Sequence, residues 1–219
     1  MCWNAYVSAA AGLCHLLTIL IVITKPNVKY RRSYLLFLSF YFIMELFQTI
    51  QHVTFVDDTC TKWNIFTTII AYILIWIQPS LFYKIYSLAV HPSRILLRLT
   101  TITFIVAMLS LFVGFTSTPT YSLPNNNYGN RTCTNHDSNG HLEWIFALKS
   151  IQYSPTYYVY LLLIGVISWE FPFELFMTLT LGWWMALIIS LFWVGLTPAL
   201  ASVWCVTSFM VDIPILLTI

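Results

Sequence analysis

Residues 34–52 read YLLFLSFYFIMELFQTIQH, an apolar run with one carboxylate near its centre. At 1.5 Å of rise per residue, about 20 such residues cross the ~30 Å hydrocarbon core of a bilayer. Glu45 would lie 11 residues into a span over 34–55, about 16 Å from its start and near mid-depth. At about 100° per residue, Tyr41, Gln48, Thr49 and His52 fall within about 60° of Glu45, whereas Gln51 points elsewhere. The run therefore carries a polar stripe on an apolar helix.

The rest of the chain has the same character. Six more apolar segments, about 4–24, 63–88, 97–117, 144–168, 172–194 and 197–218, complete the expectation of an all-α membrane protein, a seven-helix bundle in a single domain. The fifth segment is the least regular, because Lys149, Gln152 and Pro155 stand near its start, and residues 142–154 could instead lie at the interface before a shorter span. Between the fourth and fifth segments, residues 118–143 are rich in Pro, Asn, Ser and Gly and form the longest connection. Of the 219 residues 59% are hydrophobic and 8% charged, against about 25% charged in a soluble domain. That composition excludes a soluble globule, and 17% aromatic residues with so little charge exclude disorder. Ten Lys and Arg and a net charge of +2 are too few for a nucleic-acid-binding face.

Basic residues set the expected orientation. Lys25, Lys29, Arg31 and Arg32 follow the first segment, and Lys84, Arg94 and Arg98 flank the third connection. Only Lys62, Arg131 and Lys149 fall toward the other side. The N-terminus is then outside and the C-terminus cytoplasmic, in a secretory-pathway, plasma or host membrane. No basic residue precedes Lys25, so the first segment reads as an uncleaved anchor. Asn130-Arg131-Thr132 is an N-glycosylation acceptor in the outside loop 118–143. Cys60 and Cys133 lie in the two outside loops, where an oxidising compartment allows a disulfide between them. Cys14 and Cys205 fall inside spans, as small apolar packing residues.

Ionisable groups inside a bilayer are costly and usually face the bundle interior. Asn64, Thr67, Thr68, Ala71 and Gln78 share one side of the third segment, with Pro79 next to Gln78. Ala201, Cys205, Ser208 and Asp212 share one side of the seventh, and Asn4, Ser8, Ala11 and His15 one side of the first. The fourth segment lacks a strong polar residue and is expected to face lipid. Stripes from the first, second, third and seventh segments would surround one polar interior. Its members are Glu45, Gln48, His52, Asn64, Gln78 and Asp212, with Gln48 and Gln78 as hydrogen-bond partners of Glu45. The alternative for the amides and hydroxyls is interhelical glue. Most of the nine Trp read as packing or interfacial belt.

Motifs for resident chemistry are missing. The sequence has no metal-ligand spacing, nucleophile elbow or phosphate loop, so no metal or cofactor is expected. No Lys follows Lys149, which excludes the Schiff-base Lys of a retinal protein. The seven-span plan resembles that of G-protein-coupled receptors, but residues 83–90 read YKIYSLAV, without the Asp-Arg-Tyr signature. Glu45-Leu-Phe-Gln48, Cys60-Thr-Lys-Trp-Asn64 and Trp76-Ile-Gln78-Pro79 together resemble small uncharacterised seven-span membrane proteins of large DNA viruses. That resemblance implies insertion into a host or virion membrane and brings no activity with it.

Two functions follow as expectations. One is a transporter or channel-like protein that passes protons or binds a small solute at Glu45. The other is a receptor-like or virus–host interaction protein acting through its outside loop. An intramembrane hydrolase would need Glu45 or Asp212 to meet His15 or His52, and the expected depths of the histidines speak against it. An enzyme is thus the weaker expectation, and the sequence leaves the oligomeric state open.

Overall fold

The computed structural model describes residues 4–55, 60–116, 128–129, 132–136, 140–147, 157–195 and 199–219. Most of them are helical. Helix α1 (Ala5–Thr24) starts at Asn4, whose side chain accepts the Val7 N–H at 3.0 Å. This satisfies one of the donors every helix start leaves open. A turn with Asn27 in the left-handed region (φ 60°), which Asn tolerates better than most residues, leads into α2 (Arg31–Ile50). Helix α2 continues as a π-helical turn, Gln51–Phe55. Helix α3 (Lys62–Ala89) is capped by Thr61 and holds Pro79 in its interior. Helix α4 is Arg94–Thr116 and α5 is Tyr157–Trp169. A short α6 (Phe173–Leu175) passes through a π-turn, Phe176–Thr180, into α7 (Leu181–Val194). Helix α8 (Leu200–Thr207) joins α9 (Asp212–Thr218) through a 3-10 turn, Ser208–Val211.

Six of these helical stretches are long and apolar enough to cross a membrane: Ala5–Thr24, Arg31–Val53, Lys62–Ala89, Arg94–Gly114, Phe173–Val194 and Leu200–Thr218. The fifth expected span differs. Residues Leu142–Ala147 are a strand, β3, and α5 has 13 residues, about 20 Å of helix. One continuous helix over 144–168 is thus not formed, and residues 148–154 lie outside the described residues.

The molecule is therefore not all-α. Strand β3 pairs in parallel with β1 (Tyr128–Gly129) and antiparallel with β2 (Cys133–His136), in the order β1-β3-β2. The β2–β3 register sets Thr134 opposite Trp144 and Asn135 opposite Glu143. This sheet caps one end of the bundle. Cys60 and Cys133 are joined by a disulfide with Cα atoms 5.6 Å apart, within the usual spacing. At the opposite end the Lys25 ammonium donates to the Ile219 carbonyl, and Lys29 donates to Glu174 at 2.6 Å. The Glu174 hydrogen bond raises the Lys29 pKa above its ordinary value. Because a raised Lys pKa contributes below its unfolded value and fades as pH rises through the folded one, this exposed tie persists at neutral pH.

Core packing follows the stripes. Buried on α1 are Ser8, Ala11, Gly12 and His15, and on α3 Asn64, Thr67, Thr68, Ala71 and Gln78. Asn4 is exposed and serves as the cap. Helix α4 exposes Ile95, Ile102, Leu109 and Phe112, the broad outward face expected of it. An aromatic core centres on Trp183, whose ring centroid lies 4.3 Å from Trp204 and 5.4 Å from Phe82.

Candidate functional site

Glu45 is wholly buried. Helix α1 approaches it without a side chain in between: a Cβ added at Gly12 would lie 3.3 Å from the Glu45 Cβ. Ser8, one turn earlier on α1, faces the carboxyl. Its hydroxyl and both Glu45 oxygens nevertheless lack a hydrogen-bond partner among the described residues. Helix α2 begins at Arg31, so Glu45 lies about 21 Å from that end and nearer the sheet than mid-depth.

One turn away on α2, Tyr41 enters a second group. Its hydroxyl donates to Gln78 Oε1 at 3.1 Å and accepts the Trp183 indole N–H at 2.7 Å. The Tyr160 hydroxyl donates to the same Gln78 oxygen at 2.5 Å. Gln78 is thus a hub for two tyrosines rather than a partner of Glu45, which corrects that expectation. Tyr160 and Trp183 come from α5 and α7, whose apolar sequences gave no periodic polar signal. The Tyr160 contact also sets the depth of α5. Gln78 lies roughly four turns into α3, so α5 fills the half of the bundle away from the sheet.

A third group lies beside the second. His15 Nδ1 is 3.1 Å from Asp212 Oδ1, and His15 Nε2 is 3.1 Å from Ser208 Oγ. All three residues are buried. The expected depths had kept His15 and Asp212 apart. They meet because α1 packs along α8, the 3-10 turn and α9, with the ends of α1 and α9 level where Lys25 meets Ile219. His15 is then about 15 Å from that end and Asp212 about 10 Å, a gap that their side chains span. The order Ser–His–Asp is that of a base-activated hydroxyl, but Ser208 is 0% exposed. The His15 ring lies 6.2 Å from the Tyr41 ring, so the two groups stand side by side about one turn from Glu45.

Asn64 and His52 belong to the sheet end instead. The Asn64 amide donates to Thr134 O at 2.8 Å and accepts the Thr134 N–H at 2.7 Å. These are the two bonds a neighbouring strand would supply. Thr68 adds a 2.6 Å hydroxyl contact to Thr134. Gln51 is wholly buried and accepts the Trp144 indole N–H at 3.1 Å. It lies off the Glu45 stripe, and the sheet that covers this face of the helix buries it. His52 is half-buried, its ring centroid 5.5 Å from that of His136. Gln48 is buried one turn from Glu45. Asn130, the glycosylation candidate, lies outside the described residues. Among the described residues no group of three or more His, Cys, Asp or Glu could hold a metal ion.

Comparison with known proteins places this geometry in a context without assigned chemistry. "Uncharacterized protein R287" of Acanthamoeba polyphaga mimivirus is 31% identical over 226 residues, covering 97% of this chain and 93% of that protein. This agrees with the likeness to uncharacterised proteins of large DNA viruses. No solved structure matches the chain. The model of a family of unknown function matches residues 8–219. The chain belongs to that family, DUF5765.

Proposed function

We propose that this protein is a seven-span integral membrane protein that transfers protons through its core, with Glu45 as the exchanging group. The observation that carries the reading is the Glu45 carboxyl, wholly buried and without a hydrogen-bond partner among the described residues. An ionised carboxylate left there would cost several kcal/mol, and a proton is the smallest partner that neutralises it. Intramembrane carboxyls are functional by default for this reason. Tyr41 and His15 lie about one turn from Glu45 toward the basic end, and Asp212 on α9 continues from His15 in that direction, which supports passage along the bundle. Ser208 hydrogen-bonds the same histidine from a fully shielded position, which favours proton transfer over acyl chemistry there.

Six helices supply crossings, and the 13-residue α5 supplies a shorter seventh. The sheet end faces outside and the C-terminus the cytoplasm. Two features support this orientation: seven basic residues belong to the opposite end, and the disulfide suits an oxidising compartment. The protein is placed in a secretory-pathway, plasma or host membrane, with Asn130 as a glycosylation site on the outer face.

Infrared difference spectroscopy of the full chain in nanodiscs, between acid and alkaline buffer, tests the role of Glu45. The expected spectrum has a protonated-carboxyl band that vanishes in Glu45→Gln. Identical spectra for both proteins would reject the reading. A second reading rests on the sheet, which the disulfide and Asn64 hold as a firm outer platform. It makes the protein a receptor-like or virus–host interaction protein. Replacing residues 118–143 would then abolish capture of a host partner while Glu45→Gln leaves it intact; the reverse dependence would sink it.

A further inference from the structure

At the end of the bundle away from the sheet, the α1–α2 turn and the tail of α3 enclose an open cavity of about 420 Å³. Its lining includes Lys29, Tyr30, Arg31, Arg32, Ser33 and Leu88. Three of these are cations, and the one carboxylate bonded to them among the described residues is Glu174, on Lys29. Arg31 Nε is shielded from solvent and has no hydrogen-bond partner among the described residues. Helix α2 also starts here with no side-chain cap and no acidic residue in its first turn. Its open N–H groups thus add positive potential to the cup. Leu88, 40% exposed, gives the cup an apolar edge.

We propose that this cup binds a phosphate-bearing anion, with Arg31 and Arg32 as its ligands. Basic pockets between helices at the cytoplasmic boundary suit phospholipid headgroups, and a planar guanidinium matches two phosphate oxygens at once. Phosphate also reaches such a cup as a free anion, with the same contacts. The cavity itself does not depend on proton transfer; the lipid source rests on the membrane reading.

Thermal unfolding of the detergent-solubilised full chain provides the test, with three probes: phosphatidylglycerol, phosphatidylcholine and inorganic phosphate. Phosphatidylglycerol is expected to raise the unfolding temperature in a saturable way, and phosphatidylcholine is not. Arg32 is exposed, so Arg32→Gln should fold normally. It should weaken the effect about fivefold, the loss of roughly one surface cation. Lys62→Gln, at the sheet end, should leave it unchanged. A saturable response to inorganic phosphate that Arg32→Gln weakens supports the cup with the free anion as its source. An equal response to both lipids with none to phosphate overturns the proposal. So does a response that Arg32→Gln leaves untouched. Glu45→Gln should bind as wild type does, which separates this result from the fate of the proton reading.

Discussion

Glu45 is tolerated in the core because Gly12 opposes it. Without a Cβ on α1, the two helices approach closely enough to shut the carboxyl away from the outside of the bundle. A branched side chain at Gly12 would begin 3.3 Å from the Glu45 Cβ and force the helices apart. Gly12→Val should therefore cost about 1–3 kcal/mol, as overpacking does, read as a lower unfolding temperature in detergent. An unchanged temperature would mean that the contact is slack. Glu45 and Asp212 were legible as buried groups, because a carboxyl inside an apolar run stands out against a chain with 8% charge. The partner of Asp212 was not. His15 sits on the far side of the sequence, and only the alignment of α1 with α9 brings it to 3.1 Å. Tyr160 and Trp183 were illegible for another reason: in an apolar helix an aromatic residue looks the same whether it packs or donates a hydrogen bond.

At the scale of elements, the helical periods were readable and the departures from them were not. Apart from the exposed cap Asn4, the stripe residues on α1, α3 and the last helical segment are buried, since period 3.6 places them on one face. Gln51 lies off the Glu45 stripe, and its burial was not legible because the sheet that covers it was not. The loop read from its Pro and Asn content holds β1 and β2, and the central strand β3 was read as the start of the fifth span; together they form the sheet β1-β3-β2, of short strands with weak alternation. What anchors that sheet is Asn64, whose amide completes the hydrogen bonding of Thr134. Asn64→Leu removes both bonds and leaves two buried backbone groups unpaired, at about 1–3 kcal/mol each. Amide hydrogen exchange across Cys133–His136 should then rise while the Cys60–Cys133 disulfide stays closed. Unaltered protection would show that the disulfide alone holds the sheet.

Across the whole molecule, polar groups are layered along the bundle in an apolar surround. The sheet and its amide clamps lie at one end, then Glu45, then the Tyr41–Gln78–Tyr160 hub with His15 beside it and Asp212 just beyond, and finally the basic end with its cup. The low charge of the sequence made the bundle readable, but the order of these layers depends on which helices neighbour one another. Sequence periodicity carries no information on that. The central claim is that protons cross through these layers by way of Glu45. The most direct measurement is the collapse of an imposed pH gradient in vesicles holding the purified chain, with potassium and valinomycin present to cancel any membrane potential. Wild-type protein should collapse the gradient well above the rate of empty vesicles, and Glu45→Gln should return it to that background. Equal rates for wild type and Glu45→Gln would contradict the account.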